Sequence, residues 1–214
     1  NNSASFNGSS SNLLQSYTFS WSDVYTWNFW VKTVMTTTPA YIITAGRSAD
    51  DVEETDSYIY NGNIAWYEYC AFSQSSFDMF TSTALLNNGN WHMVTFVKDS
   101  VADSAYIYID GNLNQKSVLG CSTDYYGNFV VGYDDYDSDN YFDGEIDELT
   151  VWAKALSADD VSTLWNSGDG LFYPFSTAEE FAIKINGIDL NTISKINGVP
   201  IENVKKYNGI LLRK

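Results

Sequence analysis

The feature that most constrains this chain is a regular succession of short alternating segments, each closed by a small polar turn. Tyr25-Thr-Trp-Asn-Phe-Trp-Val-Lys32 sets Tyr25, Trp27, Phe29 and Val31 on one face and Asn28, Trp30 and Lys32 on the other. That pattern predicts a core strand with one aromatic, Trp30, left on its second face. Residues 41–46, 58–60, 64–71, 77–80, 91–98, 105–109 and 129–132 read as further strands. Asn61-Gly62-Asn63 supplies a hairpin turn and Asp110-Gly111 another, while residues 3–13 read as a short strand, an Asn7-Gly8 turn and a second short strand. Residues 47–56, with Asp50, Asp51, Glu53, Glu54 and Asp56, and residues 133–140 read as acidic loops. Roughly a dozen short strands so spaced predict an all-β chain, a two-sheet antiparallel jelly-roll sandwich.

One stretch departs from that rhythm. Residues 141–157 read as a strand that feeds a short helix, because Ser157 stands at an N-cap position and Asp160 follows three residues later as in a capping box. Val161, Leu164 and Trp165 fall at i, i+3 and i+4, so the helix buries one narrow face, and Gly168 and Gly170 end it.

After Pro174 the pattern changes again. Lys184-Ile-Asn-Gly187, Lys195-Ile-Asn-Gly198 and Lys206-Tyr-Asn-Gly209 recur with a period of 11 residues, each followed by an aliphatic residue, Ile188, Val199 or Ile210. Each unit reads as a small hairpin too short to bury its own apolar face. The expected organisation is a sandwich over residues 1–177 and a β-hairpin repeat appendage over residues 178–214, used for attachment or oligomerisation through a protein partner or a second copy of the chain.

Composition narrows the partners. With 214 residues, a net charge of −16 and eleven basic side chains, the chain lacks the Lys and Arg clusters that nucleic acid or an anionic membrane surface requires. No apolar run approaches the roughly 20 residues of a membrane helix. Aromatic residues make up 16% of the sequence, sixteen of them Tyr, which marks a folded chain with aromatic surface to spend on packing or binding. Cys70 and Cys121, the two cysteines, fit either a disulfide or two buried thiols. The opening Asn-Asn-Ser without Met reads as a fragment, a processed product or a chain whose leader has been removed.

Five ordered blocks carry a family resemblance: Ala4-Ser-Phe-Asn-Gly-Ser-Ser10, Phe29-Trp-Val-Lys32, Asn90-Trp-His-Met-Val94, Ala105-Tyr-Ile-Tyr-Ile-Asp-Gly111, and Phe142-Asp-Gly-Glu-Ile-Asp-Glu148 running on to Ala155-Leu-Ser157. Over residues 3–175 the chain resembles the laminin G-like, concanavalin A-like lectin superfamily, which implies a jelly roll and a choice among lectin, adhesion module and glycosidase. The repeats resemble those at the ends of phage structural proteins and modular bacterial surface proteins.

Catalysis is not expected. His92, the one histidine, stands in a fold-determining block and predicts a packing or hydrogen-bonding role. Glu145-Ile-Asp147 is similar to the Glu-x-Asp-x-x-Glu motif of β-glucanases, but Thr150 replaces the final carboxylate, and in the shorter form of the motif Leu149 does. The second carboxyl group that retaining hydrolysis needs is missing.

The acidic loops suggest Ca²⁺ instead, a hard cation that takes six to eight oxygen ligands. Asp134, Asp135, Asp137 and Asp139 share one loop, and Asp50, Asp51 and Asp56 lie in the other. The run from Val131 to Asp135 resembles the pentraxin calcium loop, which implies Asp134 and Asp135 as ligands with Asp50 or Asp51 from the second loop; Tyr136 sits where a third carboxylate is expected. Tyr133, Tyr136 and Tyr141 beside these acids suggest a sugar surface, aromatic faces stacking on ring faces and carboxylates accepting hydroxyl protons. The expected function is a non-enzymatic carbohydrate-binding or adhesion module with calcium as its cofactor, recognising a glycan or cell-surface polysaccharide from an extracellular or virion surface. The alternative is a structural decoration or attachment protein of a phage particle.

Overall fold

A computed structural model describes residues 3–21, 24–36, 39–46, 54–70, 75–80, 84–119, 125–134 and 140–171, and beyond them the backbone of six two-residue strands. The chain divides into two compact units, Asn1–Gly170 and Leu171–Lys214.

The first unit is the predicted sandwich of two antiparallel sheets and one short helix. One sheet holds six strands in the order β1 (Ala4–Asn7), β12 (Asp143–Trp152), β3 (Val24–Lys32), β8 (His92–Asp99), β9 (Ser104–Ile109) and β10 (Asn112–Val118). The other holds β2 (Leu13–Trp21), β11 (Tyr125–Val131), β4 (Ala40–Ala45), β5 (Glu54–Tyr60), β6 (Asn63–Cys70) and β7 (Ser75–Phe80). β3, β8 and β9 turn alternate residues inward, and with residues of β4, β5 and β6 these form one core, in which Trp27, Phe29, Ile43, Ile59, Ile64, Trp66 and Phe96 are completely buried. Trp27 packs edge-on against Phe96 from its own sheet and against Phe129 from the other, with ring centroids 6.5 and 5.9 Å away.

One polar network crosses this core. Glu68 of β6 and Lys98 of β8, both wholly buried, face each other across the sheets, with Lys98 Nζ 2.9 Å from Glu68 Oε2. Tyr25 donates its hydroxyl to Glu68 Oε1 and lies 3.1 Å from Thr55 Oγ1, which in turn accepts from Trp66 Nε1 at 3.0 Å. Period-two alternation along β6 puts Glu68 on the same face as Ile64 and Trp66, and that face is the core.

The turns follow their chemistry. Asn61-Gly62 joins β5 to β6 and Asp110-Gly111 joins β9 to β10, all four residues at positive φ as a two-residue hairpin turn requires. Asn7-Gly8 does something different from the expected local turn between paired strands. Asn7 Oδ1 accepts from the amides of Ser9, Ser10 and Ser11, and the chain leaves one sheet for the other, so that β1 pairs with β12 and β2 with β11.

Two predicted boundaries move. The acidic stretch expected as loop through Asp56 is already strand from Glu54, and Asp56 is only 2% exposed. The helix, α1 (Ala158–Trp165), carries the predicted capping box between Ser157 and Asp160, but it ends on Asn166 in the left-handed region rather than on the glycines. Val161 and Leu164 are buried, and the Trp165 ring stacks on Trp30 at 5.2 Å and 21°, which accounts for the aromatic left on the second face of β3.

In the second unit the described backbone pairs Lys184–Ile185 with Ile188–Asp189, Lys195–Ile196 with Val199–Pro200, and Lys206–Tyr207 with Ile210–Leu211, one antiparallel pair per 11-residue repeat.

Candidate functional site

The site is built where the segment between β11 and β12 crosses β4. Gly132 donates its amide to Ile42 O at 2.9 Å, Tyr41 donates to Asn140 O at 3.1 Å, and a parallel bridge joins Tyr41 to Tyr141. These bonds hold both ends of the crossing segment against one strand. Inside it, the rings of Tyr133 and Tyr141 stack at 5.3 Å with an interplanar angle of 13°. On the sheet itself Tyr41 stands opposite Tyr58 of β5, rings 5.3 Å apart. All four tyrosines are half-buried.

A polar floor lies beside them. Thr44 donates its hydroxyl to Tyr133 O at 3.2 Å, and its cross-strand neighbour is Asp56. Thr44, Asp56 and Asp134 are 1%, 2% and 2% exposed. A register shift between Tyr41 and Ile43 lets β4 keep Ile43 and Ala45 in the core while Tyr41 and Thr44 face away from it. Half-buried phenol rings next to carboxylates that are withdrawn from water can stack on apolar faces and accept hydroxyl protons.

Of the residues expected in the site, the structure brings Tyr133 and Tyr141 together and buries Asp134 directly after Tyr133. Tyr136, Asp135, Asp137, Asp139, Asp50 and Asp51 lie outside the described residues, as does Cys121; Cys70 closes β6. Among the described residues no three His, Cys, Asp or Glu side chains converge on one point. Sequence reading did not find Tyr41, Tyr58 or Thr44 as site residues, because strand register alone makes them neighbours; Asp56, expected in the second acidic loop, stands in β5 instead.

Glu145 and Asp147 lie on the other sheet. Glu145 accepts from Lys32 Nζ at 2.8 Å and from Ser3 Oγ at 2.7 Å. The Lys32 hydrogen bond, with that of Ser3 behind it, holds the Glu145 carboxyl below the usual carboxylate range. Asp147 Oδ1 accepts the amide of Glu148, which sits at φ 49° in a bulge between Asp147 and Thr150, and the Thr150 hydroxyl donates to Asn28 O. His92 has the hydrogen-bonding role predicted for it: Nδ1 donates to Asp110 Oδ2 at 2.8 Å and Nε2 lies 3.1 Å from Asn88 Oδ1.

Comparison with known proteins agrees with this architecture. The laminin G-type family model described as concanavalin A-like lectin/glucanases superfamily matches residues 6–162. Among solved structures, a heptameric SAP-like pentraxin from Limulus polyphemus superposes with a TM-score of 0.60 at 19% identity, covering 86% of this chain and 86% of the pentraxin. The binding domain of Paraclostridial Mosquitocidal Protein 1 gives 0.60 at 16% identity, covering 77% of this chain and 43% of its own. Domains LG4-5 of the mouse laminin alpha1 chain give 0.57 at 15% identity, covering 73% and 43%. The chain therefore spans less than half the length of the toxin and laminin structures it matches. No curated protein sequence matches it. Among the described residues no helix is long and apolar enough to cross a membrane.

Proposed function

Because the chain belongs to the concanavalin A-like lectin/glucanases superfamily, we propose that it is a non-enzymatic recognition module that binds carbohydrate at the tyrosine site on an extracellular or virion surface. The observation that carries this reading is the meeting of two tyrosine pairs, Tyr133 stacked on Tyr141 and Tyr41 tilted against Tyr58, tied together by the Tyr41–Tyr141 bridge. Structural neighbours that include a toxin binding domain, a pentraxin and laminin domains support it.

Calcium belongs to the same proposal. Asp134 brings a hard-oxygen donor that is only 2% exposed, and the fit of the site to the ion rests on adding Asp135, Asp137, Asp50 and Asp51 from the two acidic loops. The ion would supply a fixed positive charge for sugar hydroxyl oxygens, while the tyrosines supply the stacking faces.

Hydrolysis is disfavoured by the state of Glu145. Lys32 and Ser3 hold its carboxyl below the ordinary range, which suits only the nucleophile of a retaining pair, and the acid/base position is filled by Thr150, whose hydroxyl donates to Asn28 O.

The test is a glycan array probed in calcium and in EGTA with the wild type, Tyr133→Ala and Tyr141→Ala. The expected result is a calcium-dependent signal that falls at least tenfold in both variants. Equal signals in all three proteins would remove the tyrosines from the site, and a signal indifferent to EGTA would remove the ion.

A second reading, structural decoration or attachment within a phage particle, is favoured by the paired strands that recur in every 11-residue repeat. It makes residues 178–214 the contact with a protein partner or a second copy of the chain.

A further inference from the structure

The costliest group in the core is the Glu68–Lys98 pair. Both side chains are wholly removed from water, where an ion pair recovers its desolvation penalty only with near-ideal geometry and every remaining polar atom satisfied. That condition is not met here. Nζ lies 2.9 Å from Oε2 but outside hydrogen-bonding geometry, and Oε2 accepts no hydrogen bond among the described residues.

The two carboxyl oxygens are therefore in different situations. Oε1 terminates a directed chain: indole Nε1–H of Trp66 can only donate, so Thr55 accepts from it and passes its own proton to Tyr25, whose hydroxyl donates to Oε1. Oε2 has the Lys98 amine beside it. The Tyr25 ring lines the pair, with Nζ 5.8 Å from its centre, and itself packs edge-on against Trp66.

We propose that Lys98 and Glu68 condense into an intramolecular amide that cross-links the two sheets. The Nζ–Cδ bond forms and the Cδ–Oε2 bond breaks. Two of the three ammonium protons leave with Oε2 as water, and the third stays on the amide nitrogen. Oε1 remains as the amide carbonyl and keeps the Tyr25 hydrogen bond. No charge and no electrons are left over, so no co-reactant is required.

Three physical effects favour the step. Condensation abolishes the buried charges and with them their desolvation penalty. The reacting groups are held in contact by opposite sheets, a situation in which effective molarities reach on the order of 10⁵–10⁸ M. Tyr25 aims a preorganised donor at the oxygen on which negative charge develops during attack.

Mass spectrometry on the full-length chain tests this. The expected result is an intact mass one water below the sequence mass and, after digestion, a branched peptide joining the β6 and β8 segments through Glu68 and Lys98. Lys98→Met and Glu68→Met are expected to carry the full mass of their own sequences, and Tyr25→Phe to form the branch at least tenfold more slowly. The wild-type measurement decides by itself, however the variants fold. The full sequence mass with Glu68 and Lys98 in separate linear peptides would overturn the proposal. So would a water loss located at Asp110-Gly111, Asp143-Gly144 or Asp169-Gly170, where backbone imide formation removes the same mass.

Discussion

Ser157 and Asp160 satisfy one another at the start of α1: the Ser157 amide donates to Asp160 Oδ2 at 3.0 Å and the Asp160 amide donates to Ser157 Oγ at 3.1 Å. The Ser157 amide is the main reason the Asp160 carboxyl lies below its ordinary range; the Ser157 hydroxyl and the charge of Lys154 add to it. A carboxyl whose folded pKa is depressed contributes fully above its unfolded pKa and loses that contribution as pH falls through the folded value. Replacing Ser157 by Ala is expected to cost about 1 kcal/mol at neutral pH. Ala keeps the backbone amide, so the pH-dependent part belongs to the carboxyl: thermal melts of Asp160→Ala should show a gap to wild type that narrows as the buffer is taken below the ordinary Asp range. This cap was legible in the sequence because its partners lie three residues apart. The Tyr41–Tyr58 and Glu68–Lys98 neighbours were not, since each joins strands whose register no local pattern records.

Among the elements, the strands that face the core announced themselves and those at an edge did not. β3, β8 and β9 are buried along almost their whole length and are rich in aromatic and β-branched residues, whereas β10, Asn-Leu-Asn-Gln-Lys-Ser-Val, pairs among the described residues only with β9 and leaves Leu113 and Val118 more than half exposed. An edge strand held by one ladder needs no apolar face, so its sequence resembles a loop. β2 was foreseen only at its first residue because its partner, β11, comes from the far end of the chain. The turn into the tyrosine segment is more exacting. Gly132, at φ 95°, passes so close to the Phe6 ring that an added Cβ would meet it at 2.3 Å. Gly132→Ala is expected to destabilise the sandwich by at least about 2 kcal/mol, through left-handed strain and overpacking together. Urea titration measures that loss, and an unchanged midpoint would mean that Phe6 and the β1 edge can move aside freely.

At the scale of the whole molecule, the boundary near residue 170 separates a unit with its own core from one made of two-residue strand pairs. A chain ending at residue 177 is expected to melt within about 2 °C of the full-length protein, since a domain carries its own core. Mass photometry of the two chains reads assembly separately; loss of an oligomer on truncation assigns the repeats to docking, and a lowered melting temperature assigns them to stabilising the sandwich. The sandwich itself has an unusual order of completion. Ala4 pairs with Ile146, and the central strand β3 is flanked on one side by β12, so the first strand waits for a partner some 140 residues downstream, as the Ser3–Glu145 hydrogen bond also does, and the middle of its sheet for one about 115 to 125 residues downstream. Loop closure of that length must precede the contacts that reward it, and non-local pairing of this kind is slow. At roughly 5–20 residues per second, synthesis leaves the Trp27–Trp30 segment without its β12 neighbour for seconds. The sandwich therefore folds after its sequence is made rather than along with it, and whatever shields that aromatic strand in the interval governs how much of the chain reaches the native state.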